Sequence, residues 1–67
     1  MKATDLDPQP RRLLRHLGRI DPKETVVQPG EVAAARELYD HGLASVWTTF
    51  DKKVMGKVTD AGRKALK

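Results

Sequence analysis

The side chains able to do chemistry are few and scattered along the chain. His16 and His41 are the only histidines, cysteine is absent, and no spaced carboxylate set joins the histidines into a metal-ligand pattern. Ser45, the one serine, falls in a segment of strand character without the sharp glycine-flanked turn that exposes a hydrolase nucleophile. Glu37 and Asp40 stand three apart and share a helix face, but such a pair on an open surface is solvated, or paired with neighbours such as Arg36 or His41, far more often than it is catalytic. The glycines match neither a phosphate-cradling loop nor a dinucleotide fingerprint. No enzyme activity, metal or cofactor is predicted from these residues. What remains is cationic: Arg11, Arg12, Arg15 and Arg19 in one stretch, Arg36 alone, and Lys52, Lys53 and Lys57 in another. The chemistry they offer is phosphate contact, which arginine forks make bidentately.

The elements that must position these residues follow from periodicity. Asp7-Pro8-Gln9-Pro10 reads as a helix start, with Asp7 placed to cap and both prolines in the first turn, where a missing N–H costs nothing. Leu13, Leu14, Leu17 and Ile20 then recur at helical spacing with the arginines on the remaining surface. Asp21-Pro22 closes this helix, since a residue before proline is pushed out of the helical region. Glu24 to Val27 suggests a brief strand. Gln28-Pro29-Gly30-Glu31 starts a second helix, with Glu31 reaching back toward free amides and Val32, Ala35, Leu38 and Tyr39 at helical spacing up to His41. Gly42 suits the left-handed residue that ends a helix, with Leu43 folding back over its last turn.

From Leu43 to Thr59 the period becomes that of strands, and Val46 to Phe50 with Val54 to Val58 predicts a β-hairpin. A three-residue connection, Asp51-Lys52-Lys53, sets Phe50 opposite Val54 and Val46 opposite Val58. This register gathers Ala44, Val46, Phe50, Val54 and Val58 on one face and Leu43, Trp47, Thr49, Met55 and Lys57 on the other. Either Trp47 and Met55 form an exposed partner-binding patch, or the terminal helix, capped by Thr59 and containing Ala61, Ala65 and Leu66, folds over them.

The order helix, short strand, helix, hairpin, helix resembles a winged-helix domain. Gly42-Leu43 before the hairpin, and Thr59-Asp60-Ala61-Gly62-Arg63 after it, resemble the corresponding segments of winged-helix regulators of the MarR and PadR kinds. The likeness covers about Glu31 to Lys67, and it departs from the full pattern in one respect. A complete winged helix-turn-helix has two helices between its first helix and its wing, whereas Lys23 to Glu31 has room for none beyond the helix that follows it. The resemblance implies a reduced α+β domain, with three helices, a short strand and a C-terminal β-hairpin wing. Its expected extent is residues 7–67 behind a flexible lead of residues 1–6.

Length and composition bound the remaining choices. Sixty-seven residues, 33% of them charged with a net charge of +4, predict one small domain of about 3–5 kcal/mol net stability, for which dimerisation is a natural support. With no cysteine and no long apolar run, the expected compartment is the cytoplasm and no membrane contact is anticipated. Charge is unevenly placed. Glu24 to Gly42 holds Glu24, Glu31, Glu37 and Asp40 against Arg36 alone, while both flanking segments are basic. An acidic helix is repelled by phosphates, so major-groove reading by it is disfavoured. Two functions follow. The first is a regulatory protein holding duplex DNA through Arg11, Arg12, Arg15, Arg19, Arg36, Lys52, Lys53 and Lys57. The second is a protein-interaction module or small inhibitor presenting Glu37 and Asp40, or Trp47 and Met55. The cationic residues also suit the solvated faces that keep a small domain soluble.

Overall fold

The computed structural model describes residues 5–66. The elements run α1 (Pro8–Ile20), β1 (Thr25–Val26), a single 3₁₀ turn (Pro29–Glu31), α2 (Val32–Asp40), β2 (Ala44–Thr48), β3 (Val54–Val58) and α3 (Asp60–Ala65). Every pairing in the sheet is antiparallel and the strand order is β1-β3-β2. Helices cover one of its faces. Leu13, Leu14 and Leu17 of α1 pack with Ala34, Ala35 and Leu38 of α2, and with Val27, Leu43, Ala44, Val58 and Ala65. Leu6 joins this core at 6% exposure, ahead of the first helix; Met1 to Thr4 lie outside the described residues. Burying a leucine as completely as Leu14, Leu17 and Leu38 are buried contributes about 1.5–3 kcal/mol each.

Asp7 stands at the N-cap of α1 without a side-chain capping bond. The capping acceptor normally receives the second or third helical amide, and the third residue here is Pro10, which has none. The Asp7 carbonyl still accepts from Arg11 N–H at 3.0 Å. Glu31 likewise makes no capping bond: the start of the second helix is tightened into the 3₁₀ turn, in which Glu31 N–H donates to the Gln28 carbonyl at 2.8 Å.

The end of α2 follows the sequence closely. Gly42 has φ +73°, its N–H donates to Tyr39 at 2.9 Å, and Leu43 N–H donates to Leu38 at 2.9 Å. These are the two bonds of a Schellman closure. It turns Leu43 into the core, at 3% exposure, and away from the outer sheet face to which the hairpin pattern assigns it.

The hairpin forms with a different register. Val46 pairs with Gly56 and Thr48 with Val54, two residues away from the expected alignment, because the three-residue connection is Phe50-Asp51-Lys52. Lys52 N–H closes on the Thr49 carbonyl at 3.0 Å, Thr49 N–H on Lys53 at 2.8 Å, and Lys52 takes φ +64°, which is a type I turn followed by a left-handed bulge residue. The Thr49 hydroxyl accepts from Lys53 N–H and meets the Asp51 carboxylate, fixing the turn there. Moving a turn by one residue shifts register by two, so strand faces are preserved. Val58 is buried and Val46 and Val54 pack half-buried against the core. Phe50, expected beside them, sits on the turn at 106% exposure.

Candidate nucleic-acid interface

The cationic side chains fall into distinct places. Along α1 the core takes Pro10, Leu13, Leu14 and Leu17, and helical geometry sends Arg12, Arg15 and Arg19 to the opposite, exposed face with His16 among them. Arg11 lies on the flank of that stripe and is half-buried. Arg12 also lines a shallow depression with Gln9, Gly30 and Glu31, next to the 3₁₀ turn.

On the other side of the same turn, Lys52 and Lys53 border an open groove floored by Val26, Val27, Pro29, Val32 and Val54. A neighbouring groove, lined by Arg36 with Val32, Tyr39, Val46, Thr48 and Val54, shares Val32 and Val54 with it. The 3₁₀ turn lines two of these depressions, one bearing Arg12 and the other Lys52 and Lys53, while Arg36 lies in the third. Acidic groups interrupt these cations: Glu31 shares the Arg12 depression, and Asp51 lies 3.6 Å from the Lys53 ammonium, both side chains exposed. The Thr49 hydroxyl hydrogen bond is the main reason the Asp51 carboxyl sits below its ordinary range.

Lys57 stands apart. It points from the outer face of β3 and its charge, with that of Arg63, acts on Asp21 at the end of α1. Arg63 grips Asp21 with two bonds, Nε to Oδ2 at 2.7 Å and Nη2 to Oδ1 at 2.6 Å, and also contacts Asp60. This fork holds the Asp21 carboxyl below its usual range and raises Arg63 above its own, with desolvation opposing both shifts. The basic residue of the Thr-Asp-Ala-Gly-Arg segment is thus spent on tying α3 to the end of α1.

The residues of the interaction reading do not converge. Glu37 and Asp40 belong to α2, on the helical side of the sheet, with Glu37 near Asp7 and Pro8. Trp47 and Met55 face each other across β2 and β3 on the outer side, and Val26, opposite Met55 on β1, extends them into an apolar row. The terminal helix packs on α1, with Gly18 close against Leu66, and leaves this face part-exposed: Trp47 is 36% and Val26 42% exposed, with Met55 half-buried between them. The sequence pattern missed Val26 because only pairing with β3 reveals which way a two-residue strand faces.

Among the described residues no group of three or more His, Cys, Asp or Glu side chains could hold a metal ion, and no helix is long and apolar enough to cross a membrane. No protein-family model matches the chain, and no curated protein or solved structure is significantly similar to it. Three helices, a short strand and a C-terminal hairpin on an open sheet define a small α+β domain of winged-helix-like fold. Between α1 and α2 stand only β1 and the 3₁₀ turn.

Proposed function

We propose that the protein is a small cytoplasmic, nucleic-acid-associated regulator on a reduced winged-helix-like scaffold, whose C-terminal half resembles regulators of the MarR and PadR kinds. It binds duplex DNA chiefly through phosphate contacts from the α1 arginines and the wing lysines. One observation carries this reading: the exposed Arg12 and the wing-tip Lys52 and Lys53 stand on either side of the same 3₁₀ turn, with Arg36 bordering the adjoining groove. Exposed cations of this kind suit a phosphate backbone, and the acidic groups of α2 argue against close base readout. Binding to a labelled duplex over a salt series tests it. About four phosphate contacts give a log–log slope near −3.6, at about −0.9 per contact, and replacing both Lys52 and Lys53 by Glu abolishes association. Absence of binding at roughly 50 mM salt, where such contacts are strongest, overturns the proposal.

A second reading, a protein-interaction module without DNA binding, draws on the part-exposed row Val26, Met55 and Trp47. Exposed apolar rows of this sort mark protein contacts. On this reading the Lys52/Lys53 variant leaves function untouched, and affinity capture from host lysate returns a stoichiometric partner that Trp47→Lys releases.

A further inference from the structure

We infer that the trough between α2 and the β2–β3 hairpin is a docking site for an acidic amphipathic helix of a partner protein. This goes beyond the DNA reading and does not rest on it. Two grooves make up the trough. The first lies between Val32, Arg36 and Tyr39 of α2 and Val46, Thr48 and Val54 of the hairpin. The second continues it past Val26 and Pro29 to Lys52 and Lys53, and the two share Val32 and Val54. Val32, Arg36 and Tyr39 recur at helical spacing and so stand on one face of α2.

The trough has an apolar floor and a cationic rim. Val32 is 39% and Tyr39 57% exposed, with Val46 and Val54 half-buried beside them. The charged side chains that line it are all cations, Arg36 in one groove and Lys52 and Lys53 in the other, and each is exposed. The depressions beside α1 differ, since Asp7 and Glu37 line one and Glu31 lines the other. Asp51 lies 3.6 Å from Lys53, but both side chains are 61% exposed, and an open pair of this kind contributes little and gives way to a better-placed carboxylate.

An occupant must answer floor and rim together. A phosphate backbone meets the cations and leaves Val32, Tyr39 and Val54 facing water. A segment with apolar side chains on one face and carboxylates beside them satisfies both. A helix fits the length: Val32 to Tyr39 spans about 10 Å along α2, roughly two helical turns, so anchors at i, i+3 or i+4, and i+7 lie over the floor. Arg36 belongs to α2 and the two lysines to the hairpin turn, which calls for carboxylates on both borders of the apolar stripe. Tyr39 is of the residue type that most often anchors such contacts.

Fluorescence anisotropy with a labelled model peptide, and NMR shift mapping on the full chain, test the proposal. The probe is an amphipathic helix with leucines at i, i+3, i+4 and i+7 among glutamates, set against the same leucines among lysines. The glutamate peptide is expected to bind about tenfold more tightly than the lysine peptide, with amide shifts centred on Val32, Tyr39 and Val54. Arg36→Glu and Tyr39→Ser should each weaken it by about tenfold with the circular dichroism spectrum retained, both side chains being exposed. Tyr39→Ser should leave the salt slope of duplex binding as it is. Peptide binding without duplex binding removes the DNA reading alone, and duplex binding without peptide binding removes this one alone. Equal affinity for the two peptides overturns the proposal, as do shifts centred on Trp47 and Met55. So does the appearance of the same shifts on concentrating the protein by itself, which would seat a second copy in the trough.

Discussion

The Thr59 hydroxyl donates to the Gly42 carbonyl at 2.7 Å and accepts from Gly62 N–H at 3.1 Å, so one side chain caps α3 and fastens it to the end of α2. Loss of an N-cap acceptor costs about 1 kcal/mol, and an intramolecular hydrogen bond adds about 1 kcal/mol more. Thr59→Val should therefore lower stability by about 2 kcal/mol, a large part of the total for so small a chain, whereas Thr59→Ser retains most of it. Urea unfolding followed by circular dichroism measures both; equal midpoints for the valine and serine variants would show that the hydroxyl is idle.

Gly62 is bound to the same junction by sterics. A Cβ there would overlap the Leu43 carbonyl oxygen and stand 2.7 Å from Val58 Cγ2. Alanine normally favours a helix over glycine by about 1 kcal/mol, yet Gly62→Ala should destabilise by about 1–3 kcal/mol through overpacking. Gly30→Ala is the control, since nothing lies within 4 Å of its added methyl, and it should be neutral or slightly stabilising. Thermal melts of the two variants moving in the same downward direction by the same amount would refute this account.

The junction explains what was legible in the sequence. Gly42-Leu43 and Thr59 through Arg63 meet in space, and their residue types disclose local tasks: a left-handed glycine, a capping threonine, a glycine against a carbonyl. The leucine stripes were equally readable, as were the strand faces apart from Leu43, which turns into the core, and Phe50, which falls on the turn. The hairpin register was not, because Phe50 looks like a strand residue, while the turn is fixed by the hydroxyl of Thr49 and by a lysine in the left-handed region, which composition does not announce. The same holds for the candidate interface. Arg12 and Lys52 are far apart in the chain, and only the placement of the 3₁₀ turn between their grooves relates them.

Lys52 carries a conformational cost that substitution can relieve. At φ +64° a residue with a Cβ is disfavoured by about 1–2 kcal/mol relative to one at ease in the left-handed region. Lys52→Gly should raise stability by up to about 1 kcal/mol after the added unfolded-state entropy of glycine is subtracted. On the proposed DNA-binding function the same change removes one wing cation, and the salt slope should become shallower by about 0.9. Stability and slope would be read on one sample, by urea titration and by fluorescence anisotropy; an unchanged slope would remove Lys52 from the phosphate contacts.

Acid sensitivity should trace to Asp21. Hydrogen bonding from Arg63 holds its carboxyl below the ordinary range, against an unfolded value of about 3.9. A lowered folded value means that the unfolded chain binds the proton more readily, so this contribution is complete above the unfolded value and is lost as pH falls through the folded one. Asp51, lowered through the Thr49 hydroxyl, acts with the same sign. Melting temperatures of the wild type should decline below about pH 4, whereas Asp21→Asn should start lower at neutral pH and decline less, the two curves converging in acid. Arg63 is raised further above its already high value and stays charged throughout. Parallel curves for the two proteins across the acid range would show that the Arg63 fork contributes nothing to the linkage.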